Sequence, residues 1–322
     1  MRTRKLGSSN ITLTTVGLGT WAMGGPWQFG WGPQDDDEAV AAILKAVNLG
    51  VNWIDTAAVY GLGHSEELVG KALKQIKQRP FIATKCSRRW DEKGQMYGCL
   101  KQESIRMECD ASLKRLGIET IDLYQIHWAE PQEDIEEAWE EMVRLQKQGK
   151  VRFLGVSNFS VEQIKRVAKI APVVSLQPPY NMLRREVEDE LLDYCNRNGI
   201  GVIAYSPMAR GLLTGKFSRE YLAGLPLDDH RRKYEEFQDP KFSATLELVE
   251  QLRPIAKRNG ASIAQLAIAW VLRRPEVTSA IVGARRPKQI EETASAADVN
   301  LPEKDIAEIE KLLAERLKKI SK

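Results

Sequence analysis

Short apolar runs alternate with helix-patterned segments along most of this chain, and no other feature constrains the fold as sharply. Runs at 16–20, 51–55, 81–85, 121–126, 151–156, 173–177, 200–204 and 278–282 read as strands. Helical patterns follow at 36–49, 65–75, 101–116, 133–147, 160–169, 186–197 and 287–296. Asp35 or Asp36 is placed to cap the first helix, Gly50 to end it, and Ser160 to cap the helix at 160–169. Eight strand–helix units are the pattern of a parallel sheet closed into a (β/α)8 barrel. An open doubly wound sheet is the alternative, and it needs a glycine-rich phosphate loop after its first strand. Gly17-Leu18-Gly19 starts like one, but Thr20-Trp21-Ala22 follows, and no third glycine stands at the right place.

Three segments decorate the barrel pattern. Residues 2–14, with Gly7-Ser8-Ser9-Asn10 between two short extended runs, predict a hairpin that plugs the barrel floor. A long excursion at 206–277 carries a polar stretch from Asp228 to Asp239 and two helices, at 241–258 and 262–273. An amphipathic helix is predicted at 303–317, packed outside. With no linker and no repeat beyond the strand–helix unit, one domain over 1–322 is the expectation.

Composition narrows the classes of function. The net charge is +3 with acids and bases interspersed, which is no footprint for nucleic acid. No run of eighteen uncharged apolar residues is present, so no membrane span is expected. Met1-Arg2-Thr3-Arg4-Lys5 leads into a polar stretch, not a secretion signal. Cys86, Cys99, Cys109 and Cys195 show no CxxC pair and no metal spacing, and read as free thiols of a cytoplasmic protein. A monomer is expected, because such a barrel can bury its core alone.

Four polar residues stand where strands end. Asp55 closes one apolar run, Lys85 the next, His127 follows a third, and Tyr60 lies in the loop five residues past Asp55. Active sites of such barrels lie at the C-terminal strand ends. Neighbouring strands are roughly 5 Å apart there, so these side chains can meet. A lysine closing a buried strand needs a charged partner, and Asp55 can supply it. Lys85 can in turn lower the pKa of the Tyr60 phenol, ordinarily about 10. His127 can present an imidazole N–H to a carbonyl. Together the four form a site that polarises a carbonyl and protonates its oxygen.

These motifs carry a family resemblance. Asp55-Thr56-Ala57 with Tyr60 and Gly61, Ala83-Thr84-Lys85, and Gln125-Ile126-His127-Trp128 resemble the aldo-keto reductase superfamily. So do Gly155-Val156-Ser157-Asn158-Phe159, Gln177-Pro178-Pro179-Tyr180-Asn181, the block from Tyr205 to Gly211, and Ile281-Val282-Gly283-Ala284-Arg285. The look is that of bacterial members similar to the β subunits of voltage-gated potassium channels. The resemblance implies an NADPH-dependent carbonyl reductase, with NADH possible, that binds its nicotinamide cofactor without a Rossmann fold. It implies Tyr60 as general acid, assisted by Asp55, Lys85 and His127. It further implies Ser157, Asn158 and Gln177 on the carboxamide and Tyr205 stacked on the ring. Ser206, Met208, Gly211 and Lys216 would run along the pyrophosphate, and Gly283, Arg285, Gln289 and Glu292 would hold the adenosine end.

Residue chemistry is consistent with those roles. Amide and hydroxyl groups suit a carboxamide, and Arg285-Arg286 before a helix suits a dianionic phosphate, which favours NADPH. Gln289 and Thr293 depart from the basic residue and the Asn that many members carry there, so dual cofactor use stays open. Trp21, Trp90 and Trp128 are expected to wall the pocket for a small carbonyl substrate. Trp27 and Trp31 are expected to pack within the first loop, and Arg88-Arg89 can attract an anionic substrate. A redox-sensing subunit with slow turnover is the alternative, and His127 is the discriminator, since channel subunits typically have Asn there. A metal-dependent hydrolase ranks last, because His64, His127 and His230 form no ligand motif.

Overall fold

The computed structural model describes residues 1–227 and 229–321, so Asp228, the first residue of the polar stretch, lies outside the described residues. The chain opens with a hairpin, β1 (Thr3–Lys5) and β2 (Thr12–Thr14), paired antiparallel from Thr3–Thr14 to Lys5–Thr12. Then come β3 (Val16–Gly19), α1 (Asp36–Asn48), β4 (Trp53–Asp55), α2 (His64–Leu73) and β5 (Phe81–Cys86). A second hairpin, β6 (Arg88–Trp90) and β7 (Met96–Gly98), precedes α3 (Gln102–Leu116). The series continues through β8 (Ile121–Ile126), α4 (Ile135–Lys147), β9 (Val151–Ser157), α5 (Val161–Ala168), β10 (Ser175–Gln177), α6 (Leu191–Arg197) and β11 (Gly201–Tyr205). After β11 come α7 (Arg219–Ala223), α8 (Lys241–Arg258) and α9 (Ile263–Leu272), then β12 (Val277–Gly283), α10 (Pro287–Ala294) and α11 (Glu303–Ile320).

Eight strands close into a barrel in the order β3-β4-β5-β8-β9-β10-β11-β12, with β12 returning to β3. Every pairing is parallel, so all C-terminal strand ends share one rim. This is a (β/α)8 barrel. Local chemistry sets the helix starts. The Asp35 carboxylate accepts from the Glu38 N–H, and Ser160 and Gln163 form a reciprocal capping box. One predicted helix is broken and one predicted strand is shortened. The 186–197 segment divides into a 3₁₀ turn (Glu186–Glu188) and α6, because Glu190 leaves helical geometry at φ −143°. The 173–177 run yields only three paired residues before Pro178-Pro179, which offer no N–H to a ladder.

The first hairpin seals the floor. Leu6 and Leu13 are fully buried against Trp53, Ala83, Leu123, Ile203 and Ile281 of the barrel interior. Arg4 donates to the carbonyls of Leu272, Arg274 and Val277 beneath the barrel, and Thr278 donates to the Lys5 carbonyl. Gly17 has a packing role. A Cβ there would lie 2.0 Å from Cε2 of Trp53, whose buried indole fills the barrel and donates to Thr14 O and Ser279 Oγ. The Gly-x-Gly of the first strand thus makes room for a tryptophan. Outside, the helices cover the barrel with one continuous apolar layer. Arg115 and the fully buried Glu66 lock α3 to α2 at 2.6 Å, while Thr84 on β5 donates to the same carboxylate. No described helix is long and apolar enough to cross a membrane.

Candidate active site

The barrel brings Asp55, Tyr60, Lys85 and His127 to one point on its rim. Asp55 is the last residue of β4, and Lys85 is paired in register with Gln125 on β8. The backbone N–H of His127 continues the ladder to Cys86 O at 3.1 Å. Tyr60 opens a tight turn before α2, with its N–H on Ala57 O at 3.1 Å. Lys85 is 1% exposed. Its Nζ donates to Asp55 Oδ2 at 2.7 Å, Asp55 Oδ1 at 2.9 Å, Thr56 O at 2.9 Å and Tyr60 OH at 3.2 Å. Gln177 Nε2 adds a bond to Asp55 Oδ1 at 2.8 Å. The carboxylate therefore faces donors from two sides. The His127 ring stands edge-on to Tyr60, centroids 5.8 Å apart.

The electrostatics depart from expectation at one group. Burial pushes the Tyr60 phenol well above its usual value, and the Asp55 charge pushes it further the same way. The expected lowering by Lys85 is reversed, because the ammonium is already neutralised by Asp55 in a desolvated pocket. Tyr60 is thereby kept as a neutral O–H. Burial also lowers the Lys85 ammonium, with Asp55 opposing. His127 is pushed well below the usual imidazole value by burial, then by the Lys85 and Arg88 charges, so it is neutral and keeps one N–H.

That shift has a consequence for stability. A folded pKa below the unfolded value of about 6.5 means that the unfolded chain takes up the proton first as the pH falls. The stability tied to neutral His127 is present above about pH 6.5 and is lost on going below it. Relative to wild type, His127→Gln is expected to gain up to about 1.4 kcal/mol per pH unit below that point. Urea unfolding of both proteins at pH 7.0 and 5.5 checks this, and parallel behaviour would contradict a neutral buried imidazole.

A cavity of about 570 Å³ starts at Tyr60, His127 and Trp128 and runs past Asn158, Gln177 and Tyr205. It continues along Ser206, Met208, Gly211 and Lys216 to Gly283, Gln289 and Glu292. A second cavity of about 280 Å³ adjoins it, sharing Tyr221 and Gln289, and is lined by Arg285, Arg286, Asp35 and Glu38. Ser157 does not line the cavity; its hydroxyl donates to Gln177 O at 2.8 Å and braces the two strand ends. Asn158 adopts φ +58° and accepts the Tyr205 hydroxyl at 2.9 Å. Lys216 pairs with Glu292 at 2.9 Å. Gln289 accepts from the N–H groups of Arg285 and Arg286 and so caps α10. The Arg285 guanidinium holds Gln34 Oε1 at 2.5 Å and the carbonyls of Trp31 and Pro33, while Arg286 pairs with Glu38 at 3.0 Å.

The aromatic wall also differs from expectation. Trp21 and Trp128 line the cavity, whereas Trp90 lies behind it, packed with Ala57, Val59 and Tyr60. Its hairpin partner Met96 reaches the cavity instead. Trp27, Phe29 and Trp31 line it too, and do not merely pack within their loop. From the long excursion come Arg210, Phe217, Arg231 and Tyr234. Arg231 is held by Asp229 at 2.7 Å and lies 4.3 Å over the Trp31 ring. Nothing in the period of that polar segment signals it; an Asp two residues before an Arg is the sole cue.

A nicotinamide dinucleotide fits this groove. Amide, hydroxyl and aromatic groups lie beside the Tyr60 cluster, and a basic pair lies at the far end. Between them Gly211 sits at φ +102°, where a Cβ would come within 3.1 Å of Phe217, so the chain can run close along the groove.

The comparisons with known proteins agree with this architecture. The family model described as Aldo/keto reductase family matches residues 15–314. The chain is 40% identical over 316 residues to aldo-keto reductase YhdN of Bacillus subtilis, covering 97% of this chain and 94% of that one. It is 36% identical to the NADH-specific methylglyoxal reductase of Escherichia coli, covering 99% and 100%. Among solved structures, the glycerol dehydrogenase AKR11B4 from Gluconobacter oxydans matches with a TM-score of 0.89 at 39% identity, over 98% and 95% of the two chains. The protein is thus a barrel oxidoreductase that uses NAD(P)H. It belongs to the aldo/keto reductase family.

Proposed function

We propose that this chain reduces small aldehydes or activated ketones, with Tyr60 as the proton donor and with NADPH favoured over NADH. The observation that carries the reading is the Lys85 ammonium, bonded at once to the Asp55 carboxylate and to the Tyr60 hydroxyl on the wall of a cavity. When bound, the reduced nicotinamide would supply a hydride. Asn158 and Gln177 would hold its carboxamide, Ser157 would brace them, and Tyr205 would flank the ring. Ser206, Met208, Gly211 and Lys216 would lie along the pyrophosphate. Gly283, Arg285, Gln289 and Glu292 would hold the adenosine end.

The chain's own groups do the rest. A substrate carbonyl oxygen between Tyr60 and His127 accepts two hydrogen bonds, which polarise its carbon. As negative charge grows on that oxygen, the Tyr60 O–H moves its proton there, and Lys85 stabilises the phenolate left behind. Neutral His127 serves as a donor that does not compete for the proton. Its position beside Tyr60 favours turnover over the sensing alternative. Trp21, Trp27, Met96 and Trp128 exclude water around the reacting atoms.

The test is to titrate tryptophan fluorescence with NADPH and NADH, then to assay an aldehyde panel. Binding of a reduced cofactor and turnover of at least one aldehyde are expected; the absence of both sinks the reading. Arg285→Ala is expected to weaken NADPH roughly ten- to a hundredfold, as for a lost charge-assisted bond, and NADH much less. Equal losses would mean that Arg285 serves only to hold the 31–34 loop.

A further inference from the structure

Behind the pocket wall lies a buried carboxyl group that the proposed reaction does not use. Glu108 sits on the face of α3 that packs against the barrel, with Ile105, Cys109 and Ser112, and is 8% exposed. Its Oε1 accepts from the Ser104 hydroxyl at 3.0 Å. Its Oε2 is shut off from solvent and has no hydrogen-bond partner among the described residues. A buried carboxyl with one oxygen unpaired is costly, and packing alone does not account for it.

The Ser87 N–H, just past the end of β5, faces the same carboxyl. Ser87 joins three parts of the rim. Its hydroxyl donates to Trp128 O at 3.1 Å and accepts from the Trp128 N–H at 3.2 Å. Its carbonyl accepts from the Cys99 N–H at 3.1 Å, which closes the β6–β7 hairpin. Ser87 is fully buried and adopts φ +78°, a left-handed conformation that a serine keeps only where its surroundings hold it. The next residue, Arg88, lies 5.5 Å over the Trp128 ring, and both line the cavity.

We infer that Glu108 is a positioning residue that, through Ser87, holds the Trp128 and Arg88 wall of the substrate pocket in place. Its effect on turnover rests on the reductase reading of the cavity; its effect on the wall does not. An ionised carboxylate accepts from an N–H more strongly than a neutral carboxyl does, so the wall is held tightest when Glu108 is charged. Burial pushes this carboxyl up to about 7, against the Ser104 hydroxyl, the Arg89 charge, the Ser87 N–H and the Arg115 charge. Cys86 on β5, Cys109 on α3 and Tyr124 on β8 are themselves pushed up by burial and stay neutral there. On the flanking helices, Glu66 of α2 is taken up by Thr84 and Arg115, and Glu141 of α4 by Arg106 and Arg144. The change of charge behind the wall near neutral pH therefore falls on Glu108.

The experiment places 5-fluorotryptophan at the eight tryptophans of the full chain and follows the fluorine resonance of Trp128, identified by its loss in Trp128→Phe. In wild type that resonance is expected to shift with a midpoint near pH 7. It is expected to stay still in Glu108→Gln, which cannot ionise. It is also expected to stay still in Ser87→Gly, which keeps the ionising group, lacks the hydroxyl tie and accommodates φ +78° without strain. Between about pH 6 and pH 8 the KM of unlabelled wild type for propanal is expected to fall about threefold, and that of each variant to stay nearly constant, with cofactor affinity unchanged in all three. Thermal unfolding confirms that the variants are folded, and Ser87→Gly decides alone should Glu108→Gln not fold. A Trp128 resonance that does not titrate in wild type, or that titrates equally in the variants, overturns the inference, as does a KM whose pH dependence survives in them. If the resonance behaves as expected but wild type reduces no aldehyde with either cofactor, the reductase reading fails and the tie from Glu108 to the wall stands.

Discussion

Replacing Tyr60 with phenylalanine is expected to lower kcat for aldehyde reduction by roughly 10²–10⁴-fold, the range for loss of a positioned general acid. Cofactor binding is expected to stay within about twofold. The substitution removes one oxygen and leaves the ring, which packs with Ala57 and Val59 and lies 5.8 Å from His127. The lost group touches Lys85 Nζ, whose other bonds go to Asp55 and Thr56 and survive. Fold and pocket shape therefore persist. The phenol is pushed up by burial and by Asp55, so it stays a neutral O–H at neutral and mildly alkaline pH. A fall in wild-type rate at alkaline pH would then report loss of the Lys85 proton, whose affinity burial lowers, and not ionisation of Tyr60. Stopped-flow hydride transfer from pre-bound cofactor separates the chemical step from binding. A variant that turns over at the wild-type rate would remove Tyr60 as donor and leave His127 as the remaining candidate.

The barrel and the place of these four residues could be read from the chain because buried strands advertise their ends. Lys85 closes Phe81-Ile82-Ala83-Thr84, and a cation at the end of such a run has nowhere to go but into the rim. Asp55 and His127 follow the same rule. What could not be read was set by contacts that leave no period. β6 and β7 are three residues each, and Arg88-Arg89-Trp90 looks like a solvated loop until Trp90 pairs with Met96. That pairing turns Trp90 behind Tyr60 and puts Met96 in the cavity. Trp27 and Trp31 were ambiguous because an indole serves packing and lining equally well; Arg231 stacked on Trp31 decides the geometry from 200 residues away in sequence. The proton affinity of Tyr60 was misjudged for a related reason. Sequence places a lysine near a phenol, but the sign of the shift depends on Asp55 having already taken up that charge, and on the depth of burial.

Asp55→Asn is expected to have the largest effect on stability, about 3–5 kcal/mol at neutral pH. Lys85 Nζ would then be a buried ammonium with only the Thr56 carbonyl, the Tyr60 hydroxyl and an amide oxygen around it. Its folded pKa, already lowered by burial, would drop further once the opposing carboxylate is gone. A lysine with a folded pKa below its unfolded value of about 10.4 contributes stability above the unfolded pKa and loses it as the pH falls through the folded one. The deficit of the variant against wild type should therefore shrink as the pH rises from 7 towards 10, in urea unfolding at matched ionic strength. Adding Lys85→Met removes the orphaned charge and should recover most of the lost stability while leaving reduction abolished, because Tyr60 then has no cation beside it. A loss below about 1 kcal/mol in the single variant, or no recovery in the double, would mean that solvent reaches Lys85 and that the pair does not organise the site. The coupling between the two substitutions separates the charge pairing from simple packing, and it ties the buried ion pair to the proton transfer proposed for Tyr60.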